Sequence, residues 1–290
     1  MKKELRIQPD DRQKSTEDAQ VSPPPPSAME KKDEIYYQLC RGTPAIFLDY
    51  DGTLTPIVDD PAAALLPETM RDTIKKLSEH YRVAIISGRD LKVVQELVGI
   101  DNIVYSGSHG FDIAYPGAPD TGQDKWQRYL PVLDRAEAEL CSTLQHISGV
   151  LVERKRFTVA VHYRKVEKNQ ISKVEKAVDI VAGRYRELRK SFGKKVFELR
   201  PDADWDKGKA LLSLVETLYA DSAHVIPLFI GDDVTDEDAF QAIRDSGIGI
   251  RVGNSGYRTS ARYVLKDPAE VMVFLNWLAS TMGQDANGDQ

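Results

Sequence analysis

The stretch Asp49-Tyr50-Asp51-Gly52-Thr53-Leu54-Thr55 directly follows a short apolar run at residues 45–48. An apolar run of this length, ended by acidic and turn-forming residues, predicts a buried strand. In parallel α/β sheets, ligands collect where strands end at their carboxyl side. Asp49 and Asp51 are two positions apart, so regular strand geometry points them the same way, and Gly52 permits a tight turn that brings backbone close to a ligand. Two crowded carboxylates are costly unless a cation or a shared proton relieves their repulsion. The alternative is an acidic turn at a strand end with no ligand.

Working outward, short apolar runs at 83–86, 103–105, 226–230 and 247–250 also read as strands, and they alternate with segments of helical period. Met70, Ile74 and Leu77 lie on one helical stripe; Leu211, Val215, Leu218 and Tyr219 lie on another. Asp90 is placed to cap, and Gly99 to stop, a helix carrying Leu91, Val94 and Val98. The rhythm then changes between about residues 116 and 199. A long helix is predicted with Trp126, Leu130, Leu133, Leu140, Leu144 and Ile147 on one stripe, followed by strands at 150–153 and 157–163. A second helix carries Ile171, Val174, Val178, Val181, Tyr185 and Leu188, and a strand follows at 195–199. This reads as an α/β protein with a Rossmann-like parallel-sheet core, discontinuous at 34–115 and 200–282, and a smaller α+β domain inserted at 116–199. Residues 1–33 carry seven basic and seven acidic residues and a proline run at 23–26, the composition of a disordered leader; residues 283–290 read as a loose tail.

Composition narrows the function. The 290 residues carry a net charge of −6, which argues against a nucleic-acid partner. No run reaches the ~18 apolar residues of a membrane span, and the first thirty residues lack the apolar segment of a secretory signal. Cys40 and Cys141 stand in no metal or redox spacing, so two free thiols and a cytoplasmic location are expected.

Three further strand or helix ends carry chemistry. Gly231-Asp232-Asp233-Val234-Thr235-Asp236-Glu237-Asp238 is a second acidic cluster after the 226–230 strand. Alone it could cap a helix, a role Asp236 would partly serve; paired with the first cluster it makes an oxygen-only site suited to Mg²⁺. Ser87-Gly88-Arg89 offers a hydroxyl and backbone amides to a phosphate, or is a simple capping turn. Lys207, in Asp206-Lys207-Gly208-Lys209, stands at a helix N-terminus against the dipole. It could neutralise carboxylates and a phosphoryl group, or be a solvated loop lysine. On the inserted domain, Glu153 and Lys155 are two apart on one predicted strand and His162 and Arg164 two apart on the next, so each pair should project from one face. Val159 and Val161 supply the buried alternative face.

The pieces at Asp49–Asp51, Ser87, Lys207 and Asp232–Asp233, in this order, resemble the four motifs of the haloacid dehalogenase superfamily of phosphotransferases, and the insertion looks like the α/β cap of its sugar-phosphatase branch. More narrowly, Ser87-Gly88-Arg89, Ser106-Gly107-Ser108-His109-Gly110, Glu153-Arg154-Lys155, His162-Tyr163-Arg164 and residues 231–240 resemble the trehalose-6-phosphate phosphatase family, over roughly residues 40–280. The resemblance implies a Mg²⁺-dependent hydrolysis of trehalose 6-phosphate through an aspartyl-phosphate on Asp49, with Asp51 as acid and base. It implies a metal held by Asp49, the Asp51 carbonyl and Asp232, with Asp233 and Asp236 in or near the surrounding layer. Ser87 and Lys207 would grip phosphoryl oxygens. Arg89, His109, Glu153, Lys155, His162, Arg164 and Glu198 would meet the substrate. The only partner implied beyond this small sugar phosphate is a separate trehalose-6-phosphate synthase in the same pathway. Rival readings are a sucrose-phosphate or mannosyl-phosphoglycerate phosphatase, or a catalytically silent binding or regulatory protein on the same fold.

Overall fold

The computed structural model describes residues 24–58, 63–118, 124–193, 195–253 and 258–285. After helix α1 (Lys32–Leu39), strand β1 (Thr43–Leu48) runs through the middle of the molecule, and its last four residues are fully buried. The chain continues through α2 (Glu68–Ser78), β2 (Arg82–Ile86), α3 (Leu91–Val98), β3 (Val104–Gly107) and β4 (Asp112–Ala114). α3 is bounded as its sequence predicts: the Asp90 side chain accepts from Lys92 N at 3.1 Å, and Gly99 takes the left-handed conformation at the C-terminus. The chain then leaves this sheet for α4 (Asp124–Gln127), α5 (Leu130–Leu144), β5 (Leu151–Lys155), β6 (Thr158–His162), α6 (Ile171–Arg184), β7 (Leu188–Gly193) and β8 (Val196–Pro201). It returns as α7 (Lys207–Leu218), β9 (Val225–Gly231), α8 (Glu237–Ala242), β10 (Ile248–Val252), β11 (Tyr263–Leu265) and α9 (Pro268–Asp285).

Two sheets result. The larger has seven strands in the order β11-β10-β9-β1-β2-β3-β4, all parallel except the β3–β4 pair. The chain leaves β1 outward through β2 and comes back to its other side as β9, so the strand order reverses at β1. That reversal opens a crevice at the carboxyl ends of β1, β2 and β9. The smaller sheet is antiparallel with the order β5-β6-β8-β7. Val159, Val161, Phe197 and Leu199 turn one face of it onto α5 and α6, where they share a core with Leu133, Leu140, Val174 and Val178. The opposite face, carrying Glu153, Lys155, His162 and Glu198, is left to meet the larger sheet's crevice.

Several boundaries differ from the sequence expectation. Residues 1–23 of the expected leader lie outside the described residues, but 26–28 pair with the edge of the larger sheet: Ala28 N donates to Val264 O at 2.8 Å, Val264 N donates to Pro26 O at 3.0 Å, Ala28 is fully buried, and α1 begins at Lys32. Short-range composition could not reveal a strand partner more than two hundred residues away. The long helix through Trp126 and Ile147 is broken at Arg128 and Tyr129, because Pro131 in the first turn of α5 has no N–H to continue it. Leu188 does not extend α6. It opens β7 and reaches the same core from the sheet, a burial that helical spacing mimics. β8 pairs with β7 as far as Leu188↔Pro201, so residues 200 and 201 belong to the inserted sheet. β6 stops at His162, opposite Val196, and Arg164 lies exposed in the turn that Val166 N closes onto Tyr163 O at 3.1 Å. β4, β7, β11 and α9 have no counterpart among the sequence expectations, and α9 carries the chain to Asp285 where a loose tail was expected from 283; residues 286–290 lie outside the described residues. Cys40 and Cys141 are free and exposed, and no helix among the described residues is long and apolar enough to cross a membrane.

The 24–31 segment gives a test of the corrected boundary. A chain beginning at residue 32 should be less stable than one beginning at residue 24 by about 1–3 kcal/mol, from lost ladder bonds and burial of Ala28 and Met29. Urea unfolding of the two chains measures it.

Candidate active site

Register brings the two acidic clusters together. Leu48 lies opposite Ile230 in the β1–β9 pair, and Asp49 N donates to Ile230 O at 2.9 Å, so both chains leave the sheet side by side. Lys207, the first residue of α7, completes the site from a third direction. Its Nζ donates to Asp49 Oδ1 and to Asp236 Oδ1, each at 2.7 Å, with all three side chains buried. One helical turn past β9, Asp236 folds back so that Oδ2 accepts from Asp232 N at 2.9 Å and Asp233 N at 2.8 Å. Asp233 closes a capping box with Asp236, and the Asp232 carbonyl is held by Arg251 at 3.3 Å.

Carboxylate oxygens of Asp49, Asp232 and Asp236 all lie within 4.8 Å of one another. Three carboxylates face one ammonium, leaving two negative charges over. Burial raises the Asp49 pKa, Lys207 opposes the rise, and Asp236 and Asp232 add to it. Burial works against the charge on Lys207, but Asp236 and Asp49 outweigh it and raise its pKa. A hard divalent cation would cancel the excess. The backbone is shaped for such a site at Gly52: φ is +84°, and a Cβ there would stand 2.1 Å from Asp232 Oδ2. The Asp232 carboxylate therefore occupies the room that only a glycine leaves beside Asp49. The donor set and this cradle fit a metal of the Mg²⁺ class.

Asp51 departs from the expectation that it shares Asp49's direction. β1 has ended by then, the turn is closed by Gly52 N onto Thr55 O at 2.8 Å, and the Asp51 carboxylate meets Arg89 instead, accepting from Nε at 2.7 Å and Nη2 at 2.6 Å. The second and third carboxylates beside Asp49 come from 232 and 236. Asp236 is also more central than a cap, and its side chain makes no capping bond to α8. Ser87, at the end of β2, is buried, and its Oγ accepts from Arg89 N at 3.1 Å. Thr53 Oγ1 is buried without a hydrogen-bond partner among the described residues.

The inserted sheet closes over this crevice. Lys155 Nζ donates to Gly88 O at 3.2 Å and to Glu198 Oε1 at 3.4 Å, and His109 Nε2 lies 3.6 Å from Glu198 Oε2. Burial disfavours the Glu198 charge, yet His109 and Lys155 hold its carboxyl well below the usual range; burial itself pushes the His109 pKa down. Ser108 and His109 both adopt left-handed backbone, with φ of 49° and 58°, which turns the imidazole under the inserted sheet. Glu153 accepts from His162 Nε2 at 2.7 Å, and this bond lowers its pKa. Thus Glu153, Lys155, His162 and Glu198 share one face of the inserted sheet with His109 beneath it, and Arg164 lies in the exposed turn after β6.

Sequence reasoning missed what docks the insertion. Arg156, in the β5–β6 turn, donates from Nη1 to the buried Asp112 at 2.8 Å, and its N–H donates to Asp90 Oδ2 at 2.9 Å. The basic triplet at 154–156 was a signal, but a turn arginine reads as solvated until its buried acid is located.

The fold is shared with a protein described as a haloacid dehalogenase-like hydrolase from Bacteroides thetaiotaomicron, at a TM-score of 0.54 with 16% identity, over 84% of this chain and 99% of its own. The C-terminal domain of trehalose-6-phosphate phosphatase from C. albicans superposes with a TM-score of 0.70 at 25% identity, over 89% of this chain and 98% of that domain. The chain belongs to the trehalose-phosphatase family, whose family model matches residues 47–269. Among its relatives is the Arabidopsis thaliana protein named "Probable trehalose-phosphate phosphatase E", 41% identical over 264 residues that span 87% of this chain and 75% of that protein.

Gly52→Ala should displace the Asp232 carboxylate and lower both activity and metal affinity by about 100-fold or more. Gly117→Ala, also at positive φ but with nothing within 4 Å, should cost only about 1 kcal/mol of stability. Phosphate release, metal titration and thermal melting of the pair separate the cradle from ordinary backbone strain.

Proposed function

We propose that the chain hydrolyses trehalose 6-phosphate to trehalose and phosphate, using an aspartyl-phosphate on Asp49. The observation that carries this reading is the buried Asp49–Lys207–Asp236 bridge set beneath a polar sheet face able to hold a sugar. Asp49, the Asp51 carbonyl and Asp232 would hold Mg²⁺, with Asp233 and Asp236 behind them; the metal supplies charge neutralisation for an approaching phosphate dianion.

The rest is done by side chains. A carboxylate oxygen of Asp49 attacks phosphorus, the bond from phosphorus to the sugar oxygen breaks, and Asp51 passes a proton to that departing oxygen. Lys207 and the Ser87 hydroxyl hold phosphoryl oxygens while charge redistributes. In the second step Asp51 takes a proton from the water that attacks phosphorus, inorganic phosphate leaves, and Asp49 is regenerated. Glu153, Lys155 and Glu198, with His109 and His162, supply directed donors and acceptors for the distal glucose, and a sugar hydroxyl left unpaired there is costly. Binding energy from that remote ring settles the insertion over Asp49 and excludes water. Arg164, in the exposed turn after β6, completes the substrate contacts expected from the family. A sucrose-phosphate or mannosyl-phosphoglycerate substrate is the rival within this chemistry. The exposed thiols Cys40 and Cys141 support work in a reducing cytoplasm, with substrate supplied by a separate synthase.

Asp49→Asn should lower phosphate release by at least about 10⁴-fold with the thermal midpoint retained. Near-wild-type turnover would end the covalent mechanism. Chelation should abolish activity and Mg²⁺ restore it. Glu153→Ala and Lys155→Ala should lower kcat/KM for trehalose 6-phosphate by about 100-fold and much less for an aryl phosphate; equal losses on both substrates would remove the sugar-binding role of this face.

A further inference from the structure

Arg89 stands in the turn after β2, and its contacts bind it to the protein's own acid. Nε and Nη2 take the two oxygens of Asp51 in parallel, at 2.7 and 2.6 Å. The guanidinium carbon lies 5.3 Å from the centre of the buried Tyr50 ring, so the side chain is gripped from the Asp51 loop by both charge and ring face. At its backbone, Arg89 N donates to Ser87 Oγ at 3.1 Å and Arg89 O accepts from Ser108 N at 2.7 Å. Burial works against its charge, yet Asp51 raises its pKa, with Tyr50 and Glu153 adding to the rise. The Asp51 side chain is 44% exposed while that of Arg89 is 12% exposed. The arginine is thus the more enclosed member and the carboxylate the one open to a substrate.

From this geometry we infer that Arg89 is a positioning residue for Asp51 rather than a contact for the sugar. The inference rests on Asp51 being the proton donor of the reaction proposed above. Both Asp51 oxygens are occupied at rest. When Asp51 carries a proton to deliver, one bond of the fork opens and the other remains as the pivot that aims the hydroxyl at the leaving oxygen. Once the proton has moved to that oxygen and its bond to phosphorus has broken, Asp51 is again a carboxylate and the fork closes. A lysine offers the charge but not the two parallel donors.

Leaving-group dependence tests this, because an alkoxide needs a proton to depart and a nitrophenolate does not. In the Mg²⁺-loaded enzyme, kcat/KM reports the steps through departure of the alcohol, and it is measured for trehalose 6-phosphate, glycerol 2-phosphate and 4-nitrophenyl phosphate. Arg89→Gln should lose about 100-fold on both alkyl esters and at least about tenfold less on the aryl ester. Arg89→Lys should recover part of the alkyl loss, and it carries the comparison alone if Arg89→Gln does not fold. Equal losses on all three substrates would overturn the inference in favour of phosphate holding or plain structure, and a loss confined to trehalose 6-phosphate would overturn it in favour of sugar contact. Asp51→Asn is the reference. If it shows no preference for the aryl ester, Asp51 is not the donor, and both the reading and the inference fall; if it shows the preference and the Arg89 variants do not, only the inference falls.

Discussion

A buried ammonium held between two buried carboxylates is the contact on which the rest of the crevice depends. Lys207 reaches it from the start of α7, Asp49 from the end of β1, and Asp236 from the turn after β9. Removing one partner from such a group leaves a charge stranded away from water, typically at a cost of about 3–5 kcal/mol. The contact therefore requires β1 and β9 to be neighbours and the helix after the insertion to start beside them. Close approach of backbone makes this possible: a Cβ on Gly208 would stand 2.3 Å from Asp238 O, so α7 packs onto α8 at a distance no side chain allows.

That same group leaves a charge imbalance which explains much of the chemistry. One lysine satisfies only part of three carboxylates, and the remainder calls for a divalent cation. Phosphate monoesters are themselves anionic and resist attack, so a nucleophile lined by carboxylates needs such compensation before it can meet its substrate. The lysine is built into the fold, whereas a cation would have to be loaded from solution.

The inserted sheet solves a different problem. Its polar face carries the groups a sugar needs, and it is docked at the β5–β6 turn by Arg156 on Asp112 and Asp90 and by Lys155 on the Gly88 carbonyl. Asp90 serves two masters, capping α3 with one oxygen and holding the turn with the other. In the reaction proposed above, selectivity for the alcohol portion and attack on the phosphoryl portion would sit on separate elements joined by a few directed bonds, so that remote binding energy could act on the reacting centre.

Much of this was legible locally. An apolar run followed by Asp49-Tyr50-Asp51-Gly52, and a second followed by Gly231-Asp232-Asp233, mark strand ends and acids because burial period and turn chemistry are written within a few residues. Lys207 could be singled out because a cation at a helix N-terminus opposes the dipole. Other features were decided only in three dimensions. Leu188 satisfies a helical stripe and a strand equally well, and β8 chose the strand by pairing with it. Residues 24–28 look like part of a disordered leader until β11 offers them an edge. Asp236 looks like a cap until Lys207 arrives, Asp51 looks aligned with Asp49 until Arg89 claims it, and Arg156 looks solvated until Asp112 is found beneath it. In each case the local pattern fixes what a residue can donate, accept or bury, while the partner stands tens to hundreds of positions away, and only the assembled tertiary structure decides which of those capacities is used.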